Sequence, residues 1–194
     1  MFCGSFLNSK LVTVDSLLNF YSATFPAEFK NSYEGRQALT ILRDRKIREE
    51  QGTAPEFTAK DFSGKQVKSS DFKNKYILIN FGASYCAPCI QEFPALTNMI
   101  KNLPQNEVVV IYVNRNKSYE AFTKVKEKYN LVGLHLKSND TLDRKYKAEA
   151  IPQLYLIDKN RKIWYDRSAL NDYELSKLQN ILQQTFNLSG QVMK

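Results

Sequence analysis

An α/β fold, in which helices flank a central mixed β-sheet and a helical appendage precedes it, is predicted by three observations. From about residue 57 onward, short apolar runs rich in β-branched and aromatic residues alternate with segments of helical periodicity, a pattern that calls for a sheet covered on both faces. A charged helical stretch comes before them and is broken at Gln51-Gly52-Thr53-Ala54-Pro55. Asp158-Lys159-Asn160-Arg161 then sets a turn between the last two apolar runs, which makes that pair an antiparallel hairpin.

The appendage, residues 1–51, holds two expected helices, 15–24 with Asp15 as N-cap and 33–50 after Ser32, separated by Pro26. In the second, Ala38, Ile41, Leu42 and Arg45 recur at helical spacing among many charges, giving a narrow stripe that can dock on a neighbour. The main domain, residues 52–194, opens with short strands at 57–59 and 66–68 around the turn Asp61-Phe62-Ser63-Gly64. It continues with strand 76–81, helix 87–102, strand 107–113, helix 117–130, strand 133–136, a short helix near 140–147, strands 153–158 and 162–166, and helix 172–186.

Bulk properties narrow the class. A chain of 194 residues holds one good-sized core plus an appendage, and 43% hydrophobic with 25% charged residues is ordinary for a globular protein. The longest purely apolar stretch, 108–113, is far too short to cross a bilayer, so no transmembrane segment is expected. The start, MFCGSFLNSK, lacks a basic region followed by an apolar one, so no secretion signal is expected in the chain as given. Cys3, followed by Gly4 and Ser5, resembles the lipid-bearing cysteine of bacterial lipoproteins; without the preceding signal it reads as an incidental thiol, free or linked between molecules. The net charge of +8 raises the question of nucleic acid, but the excess sits mainly in 111–150. There Lys124, Lys126 and Lys128, with Glu120 and Glu127, form the wet side of a helix whose buried side is Phe122, Val125 and Tyr129. No nucleic-acid partner is expected.

The chemistry concentrates at Phe81-Gly82-Ala83-Ser84-Tyr85-Cys86-Ala87-Pro88-Cys89. Two thiols three positions apart stand where a β-rich apolar run meets a helix N-terminus. Unpaired N–H groups and a partial positive charge there favour thiolate over thiol, and such sites lower a cysteine pKa from ~8.5 to roughly 3.5–7.5. The pair is therefore read as a redox site.

From Gly52 to about Phe186 the order of motifs resembles the thioredoxin-like superfamily, specifically its TlpA-like and ResA-like thiol-disulfide oxidoreductases, related to the AhpC/TSA group. The resemblance rests on GTAPEF at 52–57, INFGASYCAPC at 79–89, its continuation through Glu92 and Pro94, and Ile151-Pro152 running into LYLID. Three departures stand out. Gly82 and Tyr85 occupy places where the family commonly has Trp, Asn80 replaces a buried proton-handling aspartate of thioredoxin, and Gln153 follows the proline in place of Thr.

The resemblance implies a thioredoxin-like fold and a redox-active Cys86–Cys89 disulfide as the only redox group, with no other cofactor. It implies Cys86 as the exposed attacking thiol and Cys89 as the shielded resolving thiol, an order consistent with Cys86 lying nearer the helix N-terminus. A shift from ~8.5 to ~7 leaves only about a 3-fold rate gain once lost nucleophilicity is counted, so holding Cys89 beside the mixed disulfide matters more. Glu92, three residues beyond Cys89, is the candidate proton acceptor in place of Asn80. A cis Ile151–Pro152 bond is implied, with the Ile151 backbone free to pair with an extended substrate. Tyr85, Ala87 and Pro88 complete the expected substrate contacts. Family habit implies a monomeric reductant of protein disulfides in the periplasm or cell envelope, serving apocytochromes or wrongly oxidised cysteines and fed by a membrane thiol donor.

Other readings compete. Structural zinc needs four ligands, and beyond the pair only Cys3 and His135 remain as soft donors; copper delivery would need His135 to approach the thiols. Peroxide reduction is disfavoured because Ile79 and Gly82 stand where the peroxidatic motif needs Pro. His135 and Trp164 are read as structural, and Pro94 as a helix kink. A thioredoxin-fold module that only binds a partner is the alternative to an enzyme.

Overall fold

The computed structural model describes residues 13–116 and 118–188, so Cys3 lies outside the described residues. The chain divides into two compact units, Met1–Gln51 and Gly52–Lys194.

The first unit comprises α1 (Val14–Thr24), α2 (Ala27–Asn31) and α3 (Tyr33–Glu50). The N-cap of α1 is Thr13, whose hydroxyl accepts from the Ser16 N–H, and not Asp15 as expected. Asp15 sits in the first turn, where a carboxylate suits the helix dipole, and meets Lys46 Nζ at 2.6 Å. Pro26 does more than separate two helices: its fixed φ suits the N-cap of α2, a single short turn that periodicity does not reveal. The stripe on α3 is also shifted. Gly35 and Leu42 are buried while Ile41 is 52% exposed. Gly35 is required by packing, because a Cβ there would meet the Phe29 carbonyl oxygen at 1.9 Å, and Tyr21 donates its hydroxyl to the Gly35 carbonyl at 2.8 Å.

In the second unit a small hairpin, β1 (Thr58–Lys60) with β2 (Gln66–Lys68), precedes a five-stranded sheet. Its strands are β3 (Tyr76–Gly82), β4 (Val108–Asn114), β5 (Leu134–Lys137), β6 (Gln153–Ile157) and β7 (Ile163–Asp166), in the order β5-β4-β3-β6-β7. β3, β4 and β5 run parallel, while β6 is antiparallel to both β3 and β7, so the sheet is mixed. Central β3 buries Ile77, Leu78, Ile79 and Phe81, which is why its sequence is an unbroken apolar run without strict alternation.

The helices are α4 (Ala87–Ile100), α5 (Tyr119–Lys128), α6 (Asp140–Lys145), α7 (Arg167–Leu170) and α8 (Ser176–Phe186). α4 runs unbroken through Pro94. α7 is absent from the sequence-based expectation, which began the last helix at 172. Asp166 caps it, accepting from the Ser168 and Ala169 N–H groups, and Asn171 and Leu175 in the left-handed region (φ 52° and 60°) separate it from α8.

Candidate functional site

The site grows from the C-terminal end of β3. The Gly82 carbonyl accepts from the Arg115 N–H at 3.0 Å, extending the pairing with β4, and the chain then turns into α4. That turn is fastened from β4's side: the Ser84 N–H donates to Asn116 Oδ1 at 2.8 Å, Asn116 Nδ2 bonds Ser84 Oγ, and the Asn116 N–H is itself held by Asn114 Oδ1 at 2.8 Å. Cys86 is thereby the N-cap of α4, and Cys89 lies one turn in. The two sulfurs are bonded to each other, with 5.3 Å between Cα atoms. The Cys89 N–H points at Cys86 Sγ at 3.3 Å, the direction from which a thiolate would be stabilised. Cys86 is 8% exposed and Cys89 1%, so the thiol expected to be open is itself largely covered but remains the more accessible of the two.

The peptide bond between Ile151 and Pro152 is cis, and the Ile151 carbonyl oxygen lies 3.7 Å from Cys86 Sγ. Tyr85 (70% exposed), Ala87 and Pro88 are the solvent-facing neighbours of Cys86. Tyr85, Ala87 and Pro88 adjoin Cys86 in the chain, and Ile151 approaches its sulfur through the carbonyl. Arg115 joins the two loops, its backbone held by Gly82 and its guanidinium donating to the Glu149 carbonyl at 2.8 Å and pairing with Asp143 at 3.2 Å.

Glu92 lies on α4 one turn beyond Cys89, with a side chain only 10% exposed. Its Oε1 is ion-paired with Arg167 Nη2, the first residue of α7, and among the described residues Oε2 is buried without a hydrogen-bond partner. Burial pushes the Glu92 carboxyl up to about 7, against the opposing pull of Arg167, and nearby Asp172 adds to the rise. The same guanidinium donates through Nη1 to the Pro152 carbonyl at 2.8 Å. An open cleft of about 380 Å³ lies beside Pro88 and Glu92, with Arg167 and Tyr173 on its far wall. Sequence reasoning missed Arg167. A carboxylate on a half-buried helix face calls for a cation, but nothing in the chain singles out a residue 75 positions away.

The three departures resolve differently. Gly82 lies against Cys89: a Cβ there would stand 3.6 Å from both Cβ and Sγ of Cys89 and 3.4 Å from Asn80 Oδ1. Asn80 is buried at 3% exposure. Gln153 turns inward. Its side chain is buried, donating to Tyr155 Oη at 2.9 Å and Asp166 Oδ1 at 3.2 Å and accepting from Ser168 Oγ at 3.1 Å. His135 stacks on Tyr112 and packs at a tilt against Phe122, with ring centroids at 5.1 and 4.9 Å, and its Nε2 lies 3.0 Å from the Leu131 carbonyl oxygen; burial pushes it down to about 4. Trp164 packs edge-on against Tyr76. Among the described residues no three His, Cys, Asp or Glu side chains gather as a metal site would need.

Residues 51–166 match the model of the AhpC/TSA family. The chain belongs to that family. It is 29% identical over 111 residues to the thiol-disulfide oxidoreductase ResA of Bacillus subtilis, a match covering 57% of this chain and 62% of that protein. The thioredoxin-like protein YneN of the same organism is 30% identical over 107 residues, covering 54% and 63%. The chain thus spans under two thirds of the length of these relatives. Among solved structures, the thioredoxin domain of a thiol-disulfide oxidoreductase from Bacteroides vulgatus superposes with a TM-score of 0.59 over 71% of this chain and 97% of that one. At 22% identity that likeness shows the thioredoxin-like fold.

Proposed function

We propose that the chain is a thiol-disulfide oxidoreductase that reduces protein disulfides by cycling Cys86 and Cys89 between dithiol and disulfide. The observation that carries this reading is the bonded pair at the N-terminus of α4 with the Ile151 carbonyl of the cis-proline loop 3.7 Å from Cys86 Sγ. In the reductive direction the Cys86 thiolate attacks one sulfur of a substrate disulfide, forming a mixed disulfide and expelling a substrate thiolate. Cys89 gives its proton to Glu92, and its thiolate then attacks Cys86 Sγ. That step releases the second substrate thiolate and leaves the Cys86–Cys89 disulfide. Two electrons pass from the cysteine pair to the substrate, so no bound cofactor is needed.

Glu92 suits the acceptor role because a carboxyl that titrates near neutrality both takes and returns a proton at working pH. The substrate segment lies extended along Ile151, against Tyr85, Ala87 and Pro88. In this reading a membrane thiol donor resets the disulfide in the periplasm or cell envelope, and the chain works as a monomer; the names of its relatives support the thiol-disulfide exchange itself. Reduction of insulin by the dithiol form, with titration of the pair's potential, tests the proposal. Activity and a potential near about −270 mV mark a reductant, and about −120 mV an oxidant. No turnover with any dithiol donor refutes the enzymatic reading and favours a binding module.

A further inference from the structure

We propose that Arg167 is a positioning residue that locks the carboxylate of Glu92 to the cis-proline loop, so that the proton acceptor and the substrate-framing backbone move as one unit. The inference rests on the proton-accepting role given to Glu92 above. The Arg167 side chain is 8% exposed, and its guanidinium spans two parts of the site, with Nη2 on Glu92 Oε1 of α4 and Nη1 on the Pro152 carbonyl at 2.8 Å. A planar fork can hold both acceptors at once, which a lysine ammonium cannot do with the same geometry. The Tyr173 ring, 5.2 Å from the guanidinium carbon, covers the outer side.

The lock has a second bolt. Gln153, directly after Pro152, reaches Asp166 and Ser168, so the cap of α7 and the residue that starts the helix are both tied to the proline loop. The position of Arg167 is therefore defined from both sides, and it is not set by the Glu92 contact alone.

The orientation has a chemical consequence. Arg167 occupies Oε1, and Oε2 remains buried with no partner among the described residues, so Oε2 is the atom that takes the proton. In the resolving step the Cys89 S–H bond breaks, the proton goes to Oε2, the Cys89–Cys86 bond forms, and the substrate thiolate leaves Cys86. The charged and titratable groups around Glu92 are Arg167, Asp172 and Tyr165, with Glu174 on the cleft wall. Asp172 is occupied by the Tyr165 hydroxyl at 3.0 Å and the Leu178 N–H at 3.0 Å, while Arg167 is the cation bonded to the Glu92 carboxyl.

The test mixes reduced protein with an aromatic disulfide whose thiolate absorbs, and follows the second release of chromophore, which reports attack by Cys89, against pH. In the wild type this rate rises with pH as Glu92 ionises. Glu92→Gln abolishes the rise. Arg167→Gln moves it upward by about 1 pH unit or more, since an adjacent arginine holds a carboxyl down by roughly 1–3 units, while Arg167→Lys, which keeps the charge but not the fork that holds both acceptors, restores its place only in part. A rise unchanged in Glu92→Gln defeats the underlying role of Glu92. A rise lost in Glu92→Gln but unmoved in a folded Arg167→Gln defeats the lock alone and makes Arg167 a packing residue. If Arg167→Gln does not fold, the side-chain NMR signals of Arg167 in the wild type decide. The lock requires them to titrate together with Glu92 and to stop doing so in Glu92→Gln, and signals that ignore the Glu92 titration overturn it.

Discussion

Two half-buried groups in the thioredoxin-like unit should pull its stability in opposite directions as pH changes, and removing either one exposes the other. Burial raises the Glu92 carboxyl from its ordinary 4.5 to about 7 and lowers the His135 imidazole from its ordinary 6.5 to about 4. At about pH 5 to 6.5 native Glu92 keeps a proton that the unfolded chain has lost, so its contribution is full below 4.5 and fades as pH rises through 7. Native His135 has no proton where the unfolded chain has one, so its contribution is full above 6.5 and fades as pH falls through 4. Each slope is at most about 1.4 kcal/mol per pH unit, and the two cancel. Over about 1.5 pH units the wild type should therefore stay nearly flat, while Glu92→Gln gains and His135→Gln loses up to ~2 kcal/mol, and the double variant is flat again. Denaturant titration of the oxidised protein, followed by the fluorescence of Trp164, the only tryptophan of the chain, measures this without interference from cysteine titration. Parallel profiles in all four proteins would refute the assignment of both groups as half-buried and perturbed. The absolute stability of Glu92→Gln will fall as well, because Arg167 loses the carboxyl it bonds, so the slope is the quantity to compare.

Gly133→Ala should cost ~2 kcal/mol or more, because φ is +146° there and the new Cβ would stand 2.7 Å from the Val110 carbonyl oxygen; a thermal midpoint within a degree or so of wild type would contradict this. Asn116→Ala should lower the disulfide-reducing rate more than the stability, since it frees both Ser84 anchors of the turn beside Cys86 but sits outside the sheet core; insulin turnover set beside the denaturation midpoint separates the two effects.

How much of this could be read from the chain alone follows from where each interaction lies in sequence. β3, the turn and the start of α4 were legible because their determinants are local: a continuous apolar run, a helix-compatible segment and the two thiols between them. The hairpin of β6 and β7 was legible for the same reason, through the polar turn at 158–161. α7 was not, since four residues carry no periodicity and its cap, Asp166, reads equally well as the end of a strand. Glu92 could be nominated from its spacing to Cys89, but its partner could not. Arg167 and Arg115 each bridge segments far apart in sequence, and a chain with 28 basic residues gives no local sign of which of them is buried. Gln153 stood out in the sequence only as a departure after the proline; its inward hydrogen bonds, to Tyr155 two residues on in β6 and to Asp166 at the end of β7, could not be read there because the second depends on the pairing of the two strands.

The claim that Cys86 attacks and Cys89 resolves is tested most directly by trapping. Reduced Cys89→Ser and Cys86→Ser variants are incubated with a disulfide-bonded protein and analysed by mass spectrometry under non-reducing conditions. The account requires a stable mixed disulfide through Cys86 in Cys89→Ser and none in Cys86→Ser. Equal trapping by the two variants, or trapping by Cys86→Ser alone, would contradict it.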